Sequence, residues 1–438
     1  MSLKKQAIRG VKWTTFGTLV VAALGILKYA ILSRFVEKED FGLMAMVMLV
    51  FGFIKIFGDL GLSTAILHKQ GISKKEYASL YWLNLLVSVG LYGLMWVISP
   101  LVSQFYEQPE LTSLIRIMSL GLIAFGFGNQ FKIMEEKHLL FERISKIEIV
   151  SSVLSLILAV ILAVNDFGVL ALVYSLLFQF VFANAGFLIL GMIRYGLLFH
   201  FSYTDTKAFL SIGSYQIGSQ AVNFFNREMD VFLIGKLFSE EILGGYYIAK
   251  LLVFRPMMVL NPIMSRVAAP ALALFQSKTE DLKNAYLKLL NLISTANFIV
   301  YLGIILFAPI IVEILYPDYE DIVILVRILS VYMFLRAIAN PTGSLITATG
   351  KTELGFLWNI VSLIVMPVFI YMGSRHGIVG TSVSMLIAML VLFYPGWWFL
   401  VHRLTKASFG EFVGALVPRL RWQEMREVFF PEKEQKNH

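Results

Sequence analysis

The chain has no cysteine and few charged residues, and both absences limit what it can be. With no cysteine among 438 residues, disulfides and thiolate metal sites are excluded. The six histidines are scattered without metal-ligand spacing, so neither a metal nor another cofactor is expected. Only 15% of the residues are charged, against about 25% in soluble domains, whereas 58% are hydrophobic, against about 45–50%. This composition excludes an ordinary soluble protein and predicts an integral membrane protein.

No cleavable signal peptide is expected at the start of the sequence. Residues 1–12 are basic, but the apolar run over about 11–32 is too long for a signal-peptide core and no A-x-A site follows it. We interpret it as the first membrane helix. Runs of roughly 20 apolar residues can cross a bilayer, and twelve are predicted near 11–33, 42–66, 79–103, 111–131, 148–165, 168–192, 208–237, 243–268, 289–312, 321–347, 354–373 and 377–401.

The loop charges predict how these spans are oriented. If both termini are cytoplasmic, the inner segments up to Lys351 hold 17 Lys and Arg residues and the outer loops only four, Arg34, Lys38, Lys236 and Arg375. Cytoplasmic loops carry such an excess of Lys and Arg. We therefore predict a multi-pass membrane protein with both termini in the cytoplasm. The net charge of +8 is explained by this topology, and no nucleic-acid partner is expected.

The second half of the sequence repeats the first. At an offset of 203 the matches are Gly10 with Gly213, Phe35 with Phe238 and Gly42 with Gly245; at 207 and 211, Asn84 meets Asn291 and Arg116 meets Arg327. Internal repeats of this kind are typical of transporters with a substrate site between the two halves. The predicted fold is all-α, with a six-helix lobe over 1–193, a cytoplasmic linker at 194–207, a second six-helix lobe over 208–403 and a basic tail at 404–438.

The linker and the tail carry two further expectations. Arg194–Lys207 is the only segment that suits a flexible hinge between rocking lobes. Apolar residues recur at spacings of three and four between Phe409 and Leu420, next to arginines. This pattern favours a short helix lying on the inner leaflet. A disordered tail remains the alternative beyond Pro418.

Ionisable residues within the spans are the candidates for function, because each costs at least about 2.5–3.5 kcal/mol at bilayer depth unless it is paired or hydrated. In the seventh span a polar stripe occupies one helical face over about 21 Å, which indicates a face lining a water-filled cavity. Glu228 lies beside that face. The stripe comprises Gln216, Gln220, Asn223, Arg227 and Asp230.

The eighth span adds more cations. Arg255 and Arg266 share one face, and Pro256, Pro262 and Pro270 are expected to interrupt the helix. The repeat aligns Lys55 with Met258, one turn from Arg255 on the same helical face, and it aligns Lys28 with Val231, the residue after Asp230. Cations then outnumber acids in the predicted cavity, which favours an anionic substrate such as a phosphate. The candidate cations are Lys28, Lys55, Arg227, Arg255 and Arg266, the polar neighbours are Asn223 and Gln220, and the acids are Asp59, Glu228 and Asp230.

The same charges have a simpler explanation. Lys55 and Asp59 are four residues apart, and Arg227 and Asp230 are three apart, so each pair could neutralise itself within one helix. Buried ion pairs occur in proteins for many reasons. Both alternatives remain open from the sequence.

Three strings resemble the polysaccharide transporter family, the Wzx-like oligosaccharide flippases of the MOP flippase superfamily: RGVKWTTFG at residues 9–17, SRFVEKEDFGLMAMV at 33–47 and FGDLGLSTAILHK at 57–69. The resemblance extends over about residues 9–403. It implies a two-lobed exporter, similar in outline to multidrug antiporters, that carries undecaprenyl-diphosphate-linked oligosaccharides across the membrane. Many members have fourteen spans, whereas this chain has twelve predicted spans and a basic tail.

The expected function is therefore flipping of lipid-linked oligosaccharide units by alternating access, for surface polysaccharide biosynthesis. Arg227, Arg255 and Lys55 would hold the diphosphate, with Lys28 and Arg266 at the ends of the path. Asp59, Glu228 or Asp230 would couple transport to protons or sodium. Membrane lipids are expected partners, together with a polysaccharide polymerase and glycosyltransferases.

Three alternatives are weaker. A multidrug or organic-cation antiporter needs a cavity dominated by acids and aromatic residues. A membrane enzyme such as a glycosyltransferase or polymerase needs a larger extramembrane domain, and a scaffold does not explain the polar stripe.

Overall fold

A computed structural model describes residues 3–69, 71–276 and 278–419. The side chains of residues 3–8, 68, 208, 210–216 and 261–271 lie outside the described set. The regular structure of the described residues is entirely helical, which confirms the predicted all-α class. The helices are α1 Leu3–Leu32, α2 Lys38–Gly58, α3 Leu62–His68, α4 Lys74–Tyr106, α5 Leu111–Lys137, α6 Phe141–Val164, α7 Val169–Arg194, α8 Tyr203–Leu237, α9 Glu240–Ala273, α10 Thr279–Leu315, α11 Val323–Ile338, α12 Asn340–Thr349, α13 Thr352–Ser374, α14 Gly377–Gly396, α15 Arg403–Thr405 and α16 Phe409–Leu416.

Eleven helical stretches in the described residues are long and apolar enough to cross a membrane. The one predicted span without a counterpart among the eleven is the seventh, which corresponds to α8, a helix of 35 residues. Its polar stripe explains this difference, because glutamine, asparagine and charged side chains lower the hydropathy of a helix of sufficient length.

Two predicted spans have different internal structure from that expected. The second was expected to run over 42–66, but α2 ends at Gly58 and α3 begins at Leu62. Leu60 and Gly61 have φ angles of 49° and 66°, and these left-handed residues separate α2 from α3. The expectation that prolines interrupt the eighth span is wrong, because α9 is helical from Glu240 through Ala273. In a membrane protein, neighbouring helices can satisfy the backbone groups that a proline frees.

The first half of the chain, α1–α7, meets the second half, α8–α14, mainly where α2 packs along α9. Two glycines allow this approach. A Cβ on Gly42 would overlap the Glu240 carbonyl, and a Cβ on Gly244 would overlap the Lys38 carbonyl. The largest buried apolar cluster lies around this contact and draws on both halves of the chain.

Polar contacts join the two halves at the predicted outer end. Lys38 Nζ lies 2.6 Å from the Asp321 carboxylate and 4.9 Å from the Tyr319 ring centroid. Similar bridges run from the Gln108 amide to Glu240 at 2.8 Å, from Lys236 to Glu107 at 2.8 Å and from Arg34 to the Ile314 carbonyl at 3.2 Å. We call these contacts the outer seal.

The predicted inner end is connected differently. Among the described residues, the polar contacts that join the two halves there involve only the connection between α7 and α8 and the start of α8. Trp82 donates to the Leu198 carbonyl at 3.0 Å, and Ser79 donates to Asp205 at 2.9 Å. The segment predicted to be a flexible hinge is therefore tied to α4. The sequence of the linker does not reveal these hydrogen bonds, and its role as a hinge stays a prediction.

The amphipathic tail segment also differs from its prediction. Its apolar periodicity forms α16, but this helix packs against α10 and the end of α14 instead of lying only on lipid. Phe412 is buried against Phe393, with ring centroids 5.4 Å apart. Asn291 and Ser294 of α10 donate to the carbonyl groups at the end of the helix.

Candidate substrate site

Two predicted cations lie together where α1 meets α9. The Arg255 guanidinium is 3.0 Å from the position that a Cβ would take on Gly25, one turn before Lys28. The two charges are close enough to repel each other. Lys28 is buried and donates to Ser155 Oγ at 3.0 Å. No carboxylate of the described residues pairs with either cation, so this junction can attract an anion.

Three tyrosine hydroxyl groups lie near Arg255. Tyr29, Tyr247 and Tyr316 lie within electrostatic range of its guanidinium. Phenol groups can share hydrogen bonds with an anion and do not cancel a positive charge. An arginine in such a setting is suited to forked binding of phosphate oxygens.

Lys55 is held apart from this junction, inside the first half. Its ammonium lies 4.9 Å from the Phe125 ring centroid and 4.7 Å from that of Phe180, on α5 and α7. Asp59 instead accepts hydrogen bonds from Ser63 and from Asn129. The ion pair between Lys55 and Asp59 is therefore not formed in this structure, and aromatic faces stabilise the lysine instead.

The charges of α8 form a network with a lysine of α9. Lys250 is buried and lies 2.8 Å from Asp230 and 2.9 Å from Glu228. Tyr246 donates to Asp230 at 2.6 Å, and Arg227 donates to Glu228 at 2.8 Å. The alternative pairing of Arg227 with Asp230 is absent here. Both acids proposed for ion coupling on this helix are thus held by one buried ammonium group.

The polar stripe of α8 is only partly described. Asn223 and Arg227 are exposed on it and Gln220 is half-buried, whereas Asp230 is buried in the Lys250 network. The Asn359 amide of α13 donates to Asn223 Oδ1 at 2.8 Å. The side chains of Gln216 and Arg266 lie outside the described set, so their predicted roles stay predictions.

The second half contains a cavity of about 600 Å³ between α8 and α11–α14. This size is typical of small-molecule sites, which measure about 300–1,000 Å³. Its wall combines amide, hydroxyl and aromatic side chains with one arginine, Arg336, whose guanidinium donates to the Tyr332 hydroxyl and to the Asn226 carbonyl.

Sequence reasoning missed Lys250, Arg336 and this cavity. The rule that flagged Arg255 also applies to Lys250 and Arg336, because both are ionisable residues inside predicted spans. The cavity has no comparable signal, since its asparagine, threonine and tryptophan residues, from α8, α12, α13 and the segment after α14, come together only in the folded chain.

The helix order and the charged interior define a multi-pass membrane transporter of the MOP superfamily fold. Over 96% of this chain and 92% of the other, the structure is similar to the lipid II flippase MurJ in an inward closed conformation, with a TM-score of 0.76 and 14% identity. An inward-facing multidrug MATE transporter of the MOP superfamily aligns over 90% of this chain and 99% of its own, with a TM-score of 0.68 and 18% identity. At these identities the likeness shows the fold.

Sequence comparison defines the family more narrowly. The family model described as polysaccharide biosynthesis protein matches residues 31–324. The chain belongs to this family, as the three strings in its first half predict. It is 26% identical over 423 residues to the lipopolysaccharide biosynthesis protein WzxC of Escherichia coli (strain K12), covering 95% of this chain and 85% of the relative.

Proposed function

We propose that this protein is a flippase that moves undecaprenyl-diphosphate-linked oligosaccharides across a bacterial or archaeal plasma membrane for surface polysaccharide biosynthesis. The relatives named for polysaccharide biosynthesis and the MOP fold support this assignment of a transporter, not an enzyme. The observation that most supports this proposal is the pair of basic residues Lys28 and Arg255, with which no carboxylate of the described residues forms an ion pair. A diphosphate offers charge and oxygen acceptors that match it.

The transport cycle we propose is alternating access. The outer seal is closed in this structure, while the described residues show polar contacts between the halves at the predicted inner end only through the start of α8 and the connection before it. Headgroups would enter from the inner side and meet Arg255 between α1 and α9, with the polyprenyl chain left in lipid. Rocking of the halves, with both termini cytoplasmic, would then open the outer seal.

The remaining predicted residues fit this proposal in different ways. Arg227 is exposed on α8 and would contact the substrate. Lys55 is enclosed by two aromatic rings and would act on the diphosphate only after the first half rearranges. The Lys250 network would link the conformational change to a proton or sodium gradient if Asp230 or Glu228 exchanges its partner during the cycle. A polymerase and glycosyltransferases are proposed as functional partners.

The test is transport of a fluorescent undecaprenyl-diphosphate oligosaccharide in proteoliposomes. We expect Arg255→Ala to bind this lipid roughly tenfold or more weakly and to lose transport, because a charge-assisted contact contributes about 1.5–3 kcal/mol. Arg327→Ala is the matched control, since Arg327 is exposed and bonds only the Ile305 carbonyl.

The outcomes separate the proposal from its rival. Wild-type transport by the Arg255 variant would contradict the phosphate site. Failure of the wild-type protein to move the lipid, together with gradient-driven uptake of organic cations, would show a multidrug antiporter instead.

A further inference from the structure

The cavity in the second half contains two buried hydrogen-bond donors without partners. Trp397 is 8% exposed and its Nε1 has no acceptor, and the same holds for Asn340 Nδ2. Both residues line the cavity. A buried donor without a partner costs about 1–3 kcal/mol. Both N–H groups are enclosed in the cavity wall, so a ligand with acceptor oxygens would satisfy them once the two side chains turn toward it.

The other polar groups on the wall act as both donors and acceptors. Asn359 uses one amide N–H to reach Asn223, which leaves an acceptor on Asn359 and the donors of Asn223 available. Thr342 and Thr347 also line the cavity, where Thr342 shares a hydrogen bond with the Tyr286 hydroxyl and Thr347 donates to the Gly343 carbonyl, each at 3.0 Å. Such a set matches a ligand whose groups both donate and accept, and sugar hydroxyls have this property.

Aromatic rings form the apolar part of the wall. Trp358 and Trp397 line the cavity with Phe356 and Phe393. A large flat ring offers an apolar face together with, for tryptophan, one N–H donor. The C–H face of a sugar ring can pack on that surface while its hydroxyls reach the amides. A purely apolar ligand would leave the amides unsatisfied.

The charge of the cavity excludes an organic cation. Arg336 is the charged residue of the described wall, and none of the described lining residues is acidic. A cationic drug would therefore meet like charge without a carboxylate partner. A neutral or acidic sugar meets no such penalty.

The position of the cavity also fits a glycan. Asn223 lies on the exposed polar face of α8 and lines the cavity, one turn from Arg227. A headgroup whose diphosphate is held near Arg255 could extend its sugars past this face into the second half.

We propose that this cavity is a glycan subsite, in which Trp397, Asn340 and Asn359 bind sugar residues of the transported lipid. The inference rests on the proposed flippase function and adds to it where the sugars are recognised. The diphosphate and the glycan then have separate sites, so each can be weakened without the other.

Native mass spectrometry of the purified protein tests this with two probes. One is undecaprenyl diphosphate without sugar, and the other is the lipid-linked oligosaccharide extracted from cells that produce the protein naturally. We expect Trp397→Phe and Asn340→Ala to bind the glycan-bearing lipid about three- to tenfold more weakly, the loss of one hydrogen bond each. Binding of the sugar-free lipid should not change.

Trp398→Phe is the matched control, because Trp398 is the adjacent residue in the chain and its side chain is 61% exposed. It should bind both lipids as the wild type does. Thermal unfolding without ligand adds a second readout. Trp397→Phe removes the unpaired donor but also replaces a buried indole by a smaller phenyl ring, so we expect a modest fall in its unfolding midpoint. The glycan affinity is therefore compared at a temperature at which the variant is fully folded.

Three results would overturn the subsite. Unchanged glycan binding by both variants would show that the two donors do not contact sugar. Equal loss of both lipids would assign them a structural role. Wild-type protein that binds both lipids equally would refute the subsite and leave the flippase proposal standing, whereas binding of neither lipid would refute both.

Discussion

Lys250 is the buried cation that pairs with two carboxylates in the second half. It contacts Asp230 and Glu228 at 2.8 and 2.9 Å and is almost wholly buried. Removing one partner of a buried ion pair leaves an uncompensated charge and costs about 3–5 kcal/mol. We therefore expect Lys250→Met to lower the free energy of unfolding by roughly that amount, measured by chemical unfolding in detergent.

The double variant Lys250→Met with Asp230→Asn tests the cause. It removes a positive and a negative charge together, so we expect it to recover much of the lost stability. A double variant no more stable than Lys250→Met alone would contradict the charge explanation. Transport by the recovered variant would show whether the network is structural or couples an ion.

Residue identity was easier to predict than residue pairing. The spacing of Arg227 and Asp230 along α8 was visible in the sequence, but Asp230 pairs with Lys250, twenty positions away on the next helix. Likewise the four-residue spacing of Lys55 and Asp59 suggested a pair, whereas Phe125 and Phe180 enclose the lysine. Pairing depends on how helices rotate against each other, and helical spacing does not determine that rotation.

At the scale of elements, α16 shows what a short amphipathic helix can do besides contacting lipid. Ser408 and Glu411 cap its start, and the Ser408 backbone N–H and Lys283 hold the pKa of Glu411 below its usual range. The apolar side, through Phe412, closes one wall of the second-half cavity. The helix is therefore part of the folded second half.

We expect a chain that ends after Lys406 to lose on the order of 3 kcal/mol of stability, because it loses buried Phe412 and several hydrogen bonds to α10. A chain that ends after Arg419 is the control, since it keeps α16. Detergent thermal unfolding of both measures the effect. Equal midpoints would show that α16 contributes nothing to folding, as the prediction of a helix resting on the inner leaflet implies.

The number and approximate positions of the membrane helices could be predicted from the lengths of the apolar runs in the sequence. Twelve runs were predicted, and eleven spanning stretches plus α8 account for them. Interruptions within the helices were harder to predict, because an apolar segment has the same hydropathy whether it forms one continuous helix or two helices. The α2–α3 break rests on the backbone angles of Leu60 and Gly61, while three prolines leave α9 helical.

At the scale of the whole molecule, the structure captures one arrangement of two halves. The outer seal joins them through Lys38 and Asp321 and through Gln108 and Glu240, and it lies next to the close approach of α2 and α9 at Gly42 and Gly244. If transport needs the halves to separate at this end, then a covalent link across the seal must stop it. Surface ion pairs contribute only about 0–1 kcal/mol each, so the seal can open during a cycle.

The absence of cysteine makes this testable without removing native thiols. We expect Lys38→Cys with Asp321→Cys to transport until a reducible bis-thiosulfonate cross-linker joins the two positions, and to recover on reduction. The control pair, Lys69→Cys with Glu76→Cys, replaces an ion pair of the same 2.6 Å length that lies within the first half. Cross-linking it should leave transport intact. If transport continues with the outer positions linked, the halves do not separate at this end, and the substrate must leave by a route other than the outer seal.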